Sequence, residues 1–225
     1  MFLSAIIPAW REQERIAGSV RAARDIADEV IVVDATSPDE TARAAARAGA
    51  RVIEAKRGRG DQLHAGALAA RGDVLLFLHA DTIAPPESRQ AIERALRAPE
   101  ARGGNFYLRF VPESPAARLF TWANDARRRW LRIYYGDSAI FVRREVYLTL
   151  GGYRPLPIFE DYEFVRRLER SGPTVYVRDV RVETSARRFA GKPIRTLAIW
   201  STLQLMYSVF EVDPSTLARL YADIR

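Results

Sequence analysis

The chain has 225 residues, 48% of them apolar, enough to bury the core of one large domain and too many for a disordered chain. It has no cysteine, which excludes disulfides, zinc–thiolate sites and thiol nucleophiles, and no apolar run approaches the ~20 residues of a membrane-spanning helix. The net charge of +7, carried mostly by arginine, favours phosphate-bearing partners, although a solvated Arg-rich surface has the same composition.

Apolar runs at Leu3–Ile7, Val30–Val33, Arg51–Glu54 and Val74–His79 read as strands. Ser4-Ala5-Ile6-Ile7-Pro8 lies almost at the terminus, so no signal peptide is expected. Between the strands lie helical patterns: Ile16, Val20, Ala23 and Ala27 on one face, an Ala-rich Thr41–Ala48, then Leu63, Ala67 and Ala70. Such alternation predicts a Rossmann-like parallel sheet with helices on both faces, whose ligands bind beyond the carboxyl ends of the strands. The second part predicts a helix over Pro85–Arg97, a strand over Asn105–Phe110 and a basic helix over Ala116–Leu131. A strand at Ala139–Val142, a helix at Asp161–Arg170, a strand at Thr174–Asp179 and helices over Ile194–Phe210 and Pro214–Asp223 follow. With no repeat or linker, the chain reads as one α/β domain. It divides into a nucleotide-sugar-binding half (1–100), a mixed-sheet acceptor and catalytic half (101–190) and C-terminal helices (191–225).

Four strand ends carry polar groups: Pro8-Ala9-Trp10-Arg11-Glu12, then Asp34 with Ser37 and Asp39, then Lys56-Arg57-Gly58-Arg59-Gly60, then His79-Ala80-Asp81. Singly each has a bland explanation, since Asp34 and Asp39 suit a helix cap and the Gly/Arg stretch suits an ordinary turn. Together they suit a nucleotide. A carboxylate can accept from base or ribose, the Lys56–Gly60 loop offers N–H groups and cations to a diphosphate, and Asp81 offers a hard oxygen to Mg²⁺ or Mn²⁺.

This order of motifs resembles the family 2 glycosyltransferases of the A-type fold, from Ser4 to about Phe189. Ser4–Pro8 with Glu12 is similar to the family's opening strand and turn, and Val32-Val33-Asp34 to its nucleoside-binding segment. Phe77-Leu78-His79-Ala80-Asp81 stands where the family has Asp-X-Asp, with His79 in place of the first acid. The resemblance thus implies Pro8, Ala9, Glu12, Asp34, Lys56, Arg59, His79 and Asp81 as donor-binding residues, Asp81 also as the metal ligand. For His79, contact with ribose, phosphate or metal and a space-filling role are all open. Gly151-Gly152-Tyr153 leads to Phe159-Glu160-Asp161, which resembles the family's Glu-Asp pair. That likeness implies Asp161 as catalytic base with Glu160 beside it; the same acids also suit a helix start. Tyr135-Gly136-Asp137-Ser138 and Ser185-Ala186-Arg187-Arg188-Phe189 imply acceptor contacts at Gly136, Asp137 and Arg187. The latter stretch lacks the Gln and Trp of processive members.

The expected activity is metal-assisted, inverting transfer from a UDP- or GDP-sugar to an acceptor hydroxyl. The expected location is the cytoplasm or the inner face of its membrane, with no nucleic-acid partner. A sugar nucleotidyltransferase is disfavoured, because Pro8–Glu12 replaces the Gly-rich basic loop that class places after its first strand. A non-catalytic nucleotide- or nucleic-acid-binding protein has only the basic charge in its favour. Two stretches stay open: Arg127-Arg128-Arg129-Trp130 with Arg132 reads as a solvated face or a phosphate or membrane patch. The uncharged Thr196–Phe210 reads as a packed helix or homodimer contact in preference to peripheral membrane insertion.

Overall fold

A computed structural model describes residues 1–189 and 191–224. Its first half runs β1 (Leu3–Ala9), α1 (Ile16–Arg24), β2 (Glu29–Asp34), α2 (Thr41–Arg47), β3 (Arg51–Glu54), α3 (Arg59–Ala69) and β4 (Val74–Phe77), as the apolar periodicity predicts. Next come β5 (Thr82–Ile83), α4 (Ser88–Ala95), β6 (Gly103–Val111), α5 (Pro115–Leu131), β7 (Ile140–Arg143) and α6 (Arg144–Thr149). The chain continues through α7 (Glu160–Ser171), β8 (Thr174–Ser185), α8 (Pro193–Ser208) and α9 (Pro214–Ile224). Short 3₁₀ turns form at Gly136–Ser138 and Ala186–Arg188. Both turns, β5 and α6 are too short to show a period in the sequence.

One eight-stranded sheet, in the order β3-β2-β1-β4-β7-β6-β8-β5, runs through both halves. Strands β3, β2, β1 and β4 are parallel; β7 then runs antiparallel to both β4 and β6, while β8 is parallel to β6. Alternate residues of β1 feed two cores. Leu3, Ala5 and Ile7 join Ile16, Val20 and Ala23 of α1 and Ile92 of α4 on one face. Ile6 joins Leu63 and Ala67 of α3 and Phe164, Val165 and Leu168 of α7 on the other. Burial on both faces is why these strands read as unbroken apolar runs.

Strand β8 extends six residues beyond the expected Thr174–Asp179, to Ser185. Its pairing with β6 jumps from Phe106↔Val177 to Tyr107↔Arg181, so residues 178–180 bulge out and break the alternation that marks a strand. The bulge carries β8 on to pair with β5, Thr82↔Thr184, beside the end of β4.

The second core centres on Phe77, 1% exposed, whose ring lies 5.4 Å from Tyr147, 5.0 Å from Tyr153 and 6.4 Å from Phe164. Phe77→Ala is expected to cost about 3–5 kcal/mol in urea unfolding. Trp130→Ala, at a site 78% exposed, should stay within about 0.5 kcal/mol of the parent.

Candidate active site

The site forms where the carboxyl ends of β1, β2 and β4 meet the starts of α3 and α7. Near their carboxyl ends β1 and β2 present the carbonyls of Ala9 and Val33, the former also accepting the Ala35 N–H at 3.1 Å. The Gln62 side-chain amide, on α3, donates to both, Ala9 O at 2.9 Å and Val33 O at 2.8 Å. Nothing local in the sequence marks Gln62; its role appears only once α3 lies over two strands. Asp34 is buried and accepts from the Ser37 N–H (2.7 Å) and hydroxyl (2.6 Å), forming the turn after β2. Asp39 does the same for Thr41, the first residue of α2. These capping roles leave the carboxylate of Asp34 with acceptor capacity for a ligand.

The Gly-rich basic loop divides its cations. Lys56 is exposed, and the Arg57 guanidinium lies 3.7 Å from the centre of the Trp10 ring, closing the loop after β3 over the loop after β1. Arg59 turns the other way. Its Nε donates to Glu160 Oε1, and its Nη2 lies 3.9 Å from Asp161 Oδ2. The close approach of α3 to the loop before α7 depends on Gly60, where a Cβ would sit 2.2 Å from the Arg154 carbonyl oxygen.

Glu160 is 1% exposed. Burial pushes its carboxyl above the usual range, Arg59 pulls it back, and the Asp161 charge adds to the rise. Burial disfavours the charge of Arg59 as well, but Glu160 and Asp161 outweigh it and hold the guanidinium firmly protonated. Asp161 is fixed from two sides, accepting the Gly136 N–H at 2.9 Å on Oδ2 and the Tyr162 N–H at 2.7 Å on Oδ1. Gly136 is tightly placed, because a Cβ there would lie 2.6 Å from His79 Nε2 and 3.5 Å from Asp161 Oδ2. His79, Gly136 and Asp161 are therefore neighbours. Phe159, just before the pair, holds a left-handed backbone (φ 63°), a strained conformation for a bulky residue, and stacks on Tyr207 of α8 at 4.9 Å.

A cavity of about 590 Å³ opens over this group. Arg59, His79, Asp137, Glu160 and Asp161 line its floor, Asn124 and Arg127 of α5 one wall, and Trp200 and Gln204 of α8 with Tyr221 of α9 another. Burial raises the Tyr135 hydroxyl well above its ordinary range, so it stays a donor, bonding Gln204 Oε1 at 2.8 Å. Helix α8 thus packs through one face, around Leu203, and walls the cavity. The Arg127–Arg132 run is no continuous patch. Arg127 faces the cavity, and Arg128 is buried against Asn105, Thr174 and Glu169. Arg132 pairs with Glu169, which leaves Arg129 and Trp130 facing outward.

Beside the cavity, the loop after β4 is pinned by the Ser19 hydroxyl, which donates to Ala80 O at 2.6 Å, and by the Thr82 N–H, which donates to His79 O at 3.0 Å. The extension of β8 brings in Arg187. One of its nitrogens, Nη2, lies 3.1 Å from Glu12 Oε1 and 3.2 Å from Asp81 Oδ2. Two carboxylates therefore converge on one cation position, a hard-oxygen donor set that suits Mg²⁺ or Mn²⁺. No group of three or more His, Cys, Asp or Glu fit to hold a metal occurs among the described residues. Of the residues singled out in the sequence, Arg59, His79, Gly136, Asp137, Glu160 and Asp161 meet around the cavity. Glu12, Asp81 and Arg187 meet beside it, Pro8, Ala9 and Asp34 lie at the adjoining strand ends, and Lys56 lies outside on its loop.

The family model "Glycosyl transferase family 2" matches residues 4–151, more than half of the chain and ending before Glu160. Glucosyl-3-phosphoglycerate synthase of Mycolicibacterium paratuberculosis is 31% identical over 96 residues, covering 37% of this chain and 29% of that protein. The matched stretch is therefore about a third of that relative's length. Among solved structures, a mannosyltransferase of Pyrobaculum calidifontis in complex with GDP-Man and Mn²⁺ superimposes with TM-score 0.69 at 18% identity, covering 99% of this chain and 69% of that one. Glucosyl-3-phosphoglycerate synthase of Mycobacterium tuberculosis with Mn²⁺, UDP and glucosyl-3-phosphoglycerate gives TM-score 0.63 at 21% identity, covering 91% and 78%. At such identities the likeness establishes a shared fold.

Because Glu160 is buried, Arg59→Ala leaves a carboxylate without its counter-ion. The expected loss is about 3 kcal/mol, the low end for a broken buried pair, since the Arg59 side chain is 34% exposed. Adding Glu160→Gln should recover part of that loss in urea unfolding.

Proposed function

The chain belongs to glycosyl transferase family 2, and from that premise we propose that it catalyses inverting transfer of a sugar from a UDP- or GDP-sugar to an acceptor hydroxyl, with Asp161 as general base. The observation that carries this reading is the arrangement of Asp161, fixed by two backbone N–H groups on the floor of a large cavity, next to the Glu12–Asp81 cation position.

Two N–H bonds occupy part of the acceptor capacity of Asp161 and leave lone pairs for the acceptor hydroxyl. As that oxygen bonds to the anomeric carbon, its proton passes to Asp161, and the bond from the anomeric carbon to the diphosphate breaks with its electron pair on the departing oxygen. A single displacement of this kind inverts the anomeric centre. Glu160 and Arg59 hold Asp161 in place, and the close contact of Gly136 with His79 keeps the donor side of the cavity against the base. Asp34 and the strand ends at Pro8 and Ala9 receive the nucleoside, and Arg187, beside Asp81, supplies positive charge towards the diphosphate. Asp137 and Arg127 face the acceptor. Asp81, with Glu12 beside it, would hold Mg²⁺ or Mn²⁺, and a cation held there would neutralise charge on the leaving group. Residues 1–100 serve as the donor half and 101–190 as the acceptor half, and helices α8 and α9 enclose the acceptor. The reaction would take place in the cytoplasm or at the inner face of its membrane; no helix among the described residues is long and apolar enough to cross a membrane.

Asp161→Asn tests the base. Both oxygens of Asp161 accept an N–H, so Asn must turn its own NH₂ towards a donor, and a loss of about 1–3 kcal/mol in stability is expected. Nucleotide binding should persist while single-turnover transfer falls by roughly 10²–10⁴. Normal transfer from the folded variant would remove Asp161 from the chemistry. For the cation site, calorimetry should find that Mn²⁺ tightens UDP or GDP binding to the parent chain and that Asp81→Asn abolishes the gain. An unchanged Mn²⁺ effect in that variant would move the metal elsewhere.

A further inference from the structure

Helix α5 contributes two residues to the cavity wall, yet its opposite face has no use there. Ala117, Phe120 and Arg128 turn inward and are buried. Leu119, Trp122, Ala126 and Trp130, at i, i+3, i+7 and i+11, form a ridge on the outward side. Leu119 is 47% exposed, Trp122 65% and Trp130 78%. Arg118 and Arg129, each one residue before a member of the ridge, are exposed along one edge of it. The one acid of the helix, Asp125, is mostly covered and engaged by the Tyr176 hydroxyl at 3.0 Å, by Arg178 at 3.4 Å and, at 3.7 Å, by Arg129, whose side chain is still 49% exposed. The outward face is therefore aromatic and cationic, on a chain of net charge +7. Helix α8 packs beside α5 through Phe120 and Trp200, 5.7 Å between ring centres, and exposes Leu205, with Val209 and Phe210 exposed just past its end in a stretch without charge.

We propose that the outward face of α5, Leu119-Trp122-Ala126-Trp130 with Arg118 and Arg129, docks the protein on an anionic lipid surface. Indole rings settle at the headgroup level of a bilayer, where their apolar body and N–H are both satisfied. Arginines beside them are drawn by anionic headgroups. A two-fold contact between copies is the competing use of an apolar ridge, but it would set this face against itself, arginine edge included. Charge complementarity therefore favours the lipid. Docked this way, the protein lies on the membrane through the same helices that wall its cavity. The proposal stands independently of the glycosyl-transfer reading.

The test is co-sedimentation of the full chain with vesicles of phosphatidylglycerol and phosphatidylcholine, against phosphatidylcholine alone. The parent chain should bind the anionic vesicles in excess, and less so at high salt. Trp122→Ser with Trp130→Ser should lower the partition coefficient roughly tenfold, as should Arg118→Gln with Arg129→Gln, and only the arginine pair should abolish the salt dependence. Thermal unfolding should be unchanged in both, since all four side chains are exposed. No excess binding to anionic vesicles, or undiminished binding by the tryptophan variant, overturns the proposal. A dimer in analytical ultracentrifugation that the tryptophan variant dissociates also overturns it, by assigning the face to a second copy.

Discussion

A carboxylate taken almost wholly out of water must be answered by a cation, and Glu160 is that carboxylate. Its partner, Arg59, comes from 101 residues earlier, at the start of α3. The pair fastens the helix that lies over the parallel strands to the helix that carries Asp161. With Gly60 against the Arg154 carbonyl, it brings the starts of α3 and α7 together at one end of the sheet. The position of Asp161, its bond to Gly136 and the contact of Gly136 with His79 all follow from that junction.

Arginine dominates the charge of this chain, and around the site it is distributed with purpose. Arg59 serves Glu160 and Asp161, Arg187 bridges Glu12 and Asp81, and Arg128 is sunk against Glu169. A planar fork of donors meets two carboxylates at once in a way an ammonium group cannot. The basic composition is thus partly structural, partly a property of the cavity, and partly an outward face on α5.

Three helices, α5, α8 and α9, complete the cavity from outside the sheet. Helix α5 lies against β6, α8 meets α5 through Phe120 and Trp200, and Tyr207 of α8 covers the strained Phe159 at the head of α7. On the proposed reading, an acceptor is received by helices and a donor by strand ends, with Asp161 between them.

Most of the first half was legible in the sequence, because strands buried on both faces and helices with one apolar stripe leave strong periodic signals, and the strand-end positions of Asp34 and Asp81 follow from that order. The acidic pair at Glu160-Asp161 was visible too, as a helix start after two glycines. What the sequence could not decide was partnership. Arg59 belongs to a Gly-rich basic stretch that reads in sequence as a phosphate-cradling loop, but it opens α3, and only the packing of α3 against α7 turns it to Glu160. Arg187 reaches Asp81 because a bulge over residues 178–180 carries β8 past the point where its alternation fails. Gln62 bridges two strand ends from a helix whose sequence gives no hint of it. A run of arginines at 127–132 is one patch in the sequence and several surfaces on a helix, since each residue turns 100° from the last. Local periodicity is set by which face a segment buries, and a sequence records that directly. Contacts between segments a hundred residues apart depend on how helices settle on the sheet, and only the tertiary structure fixes that.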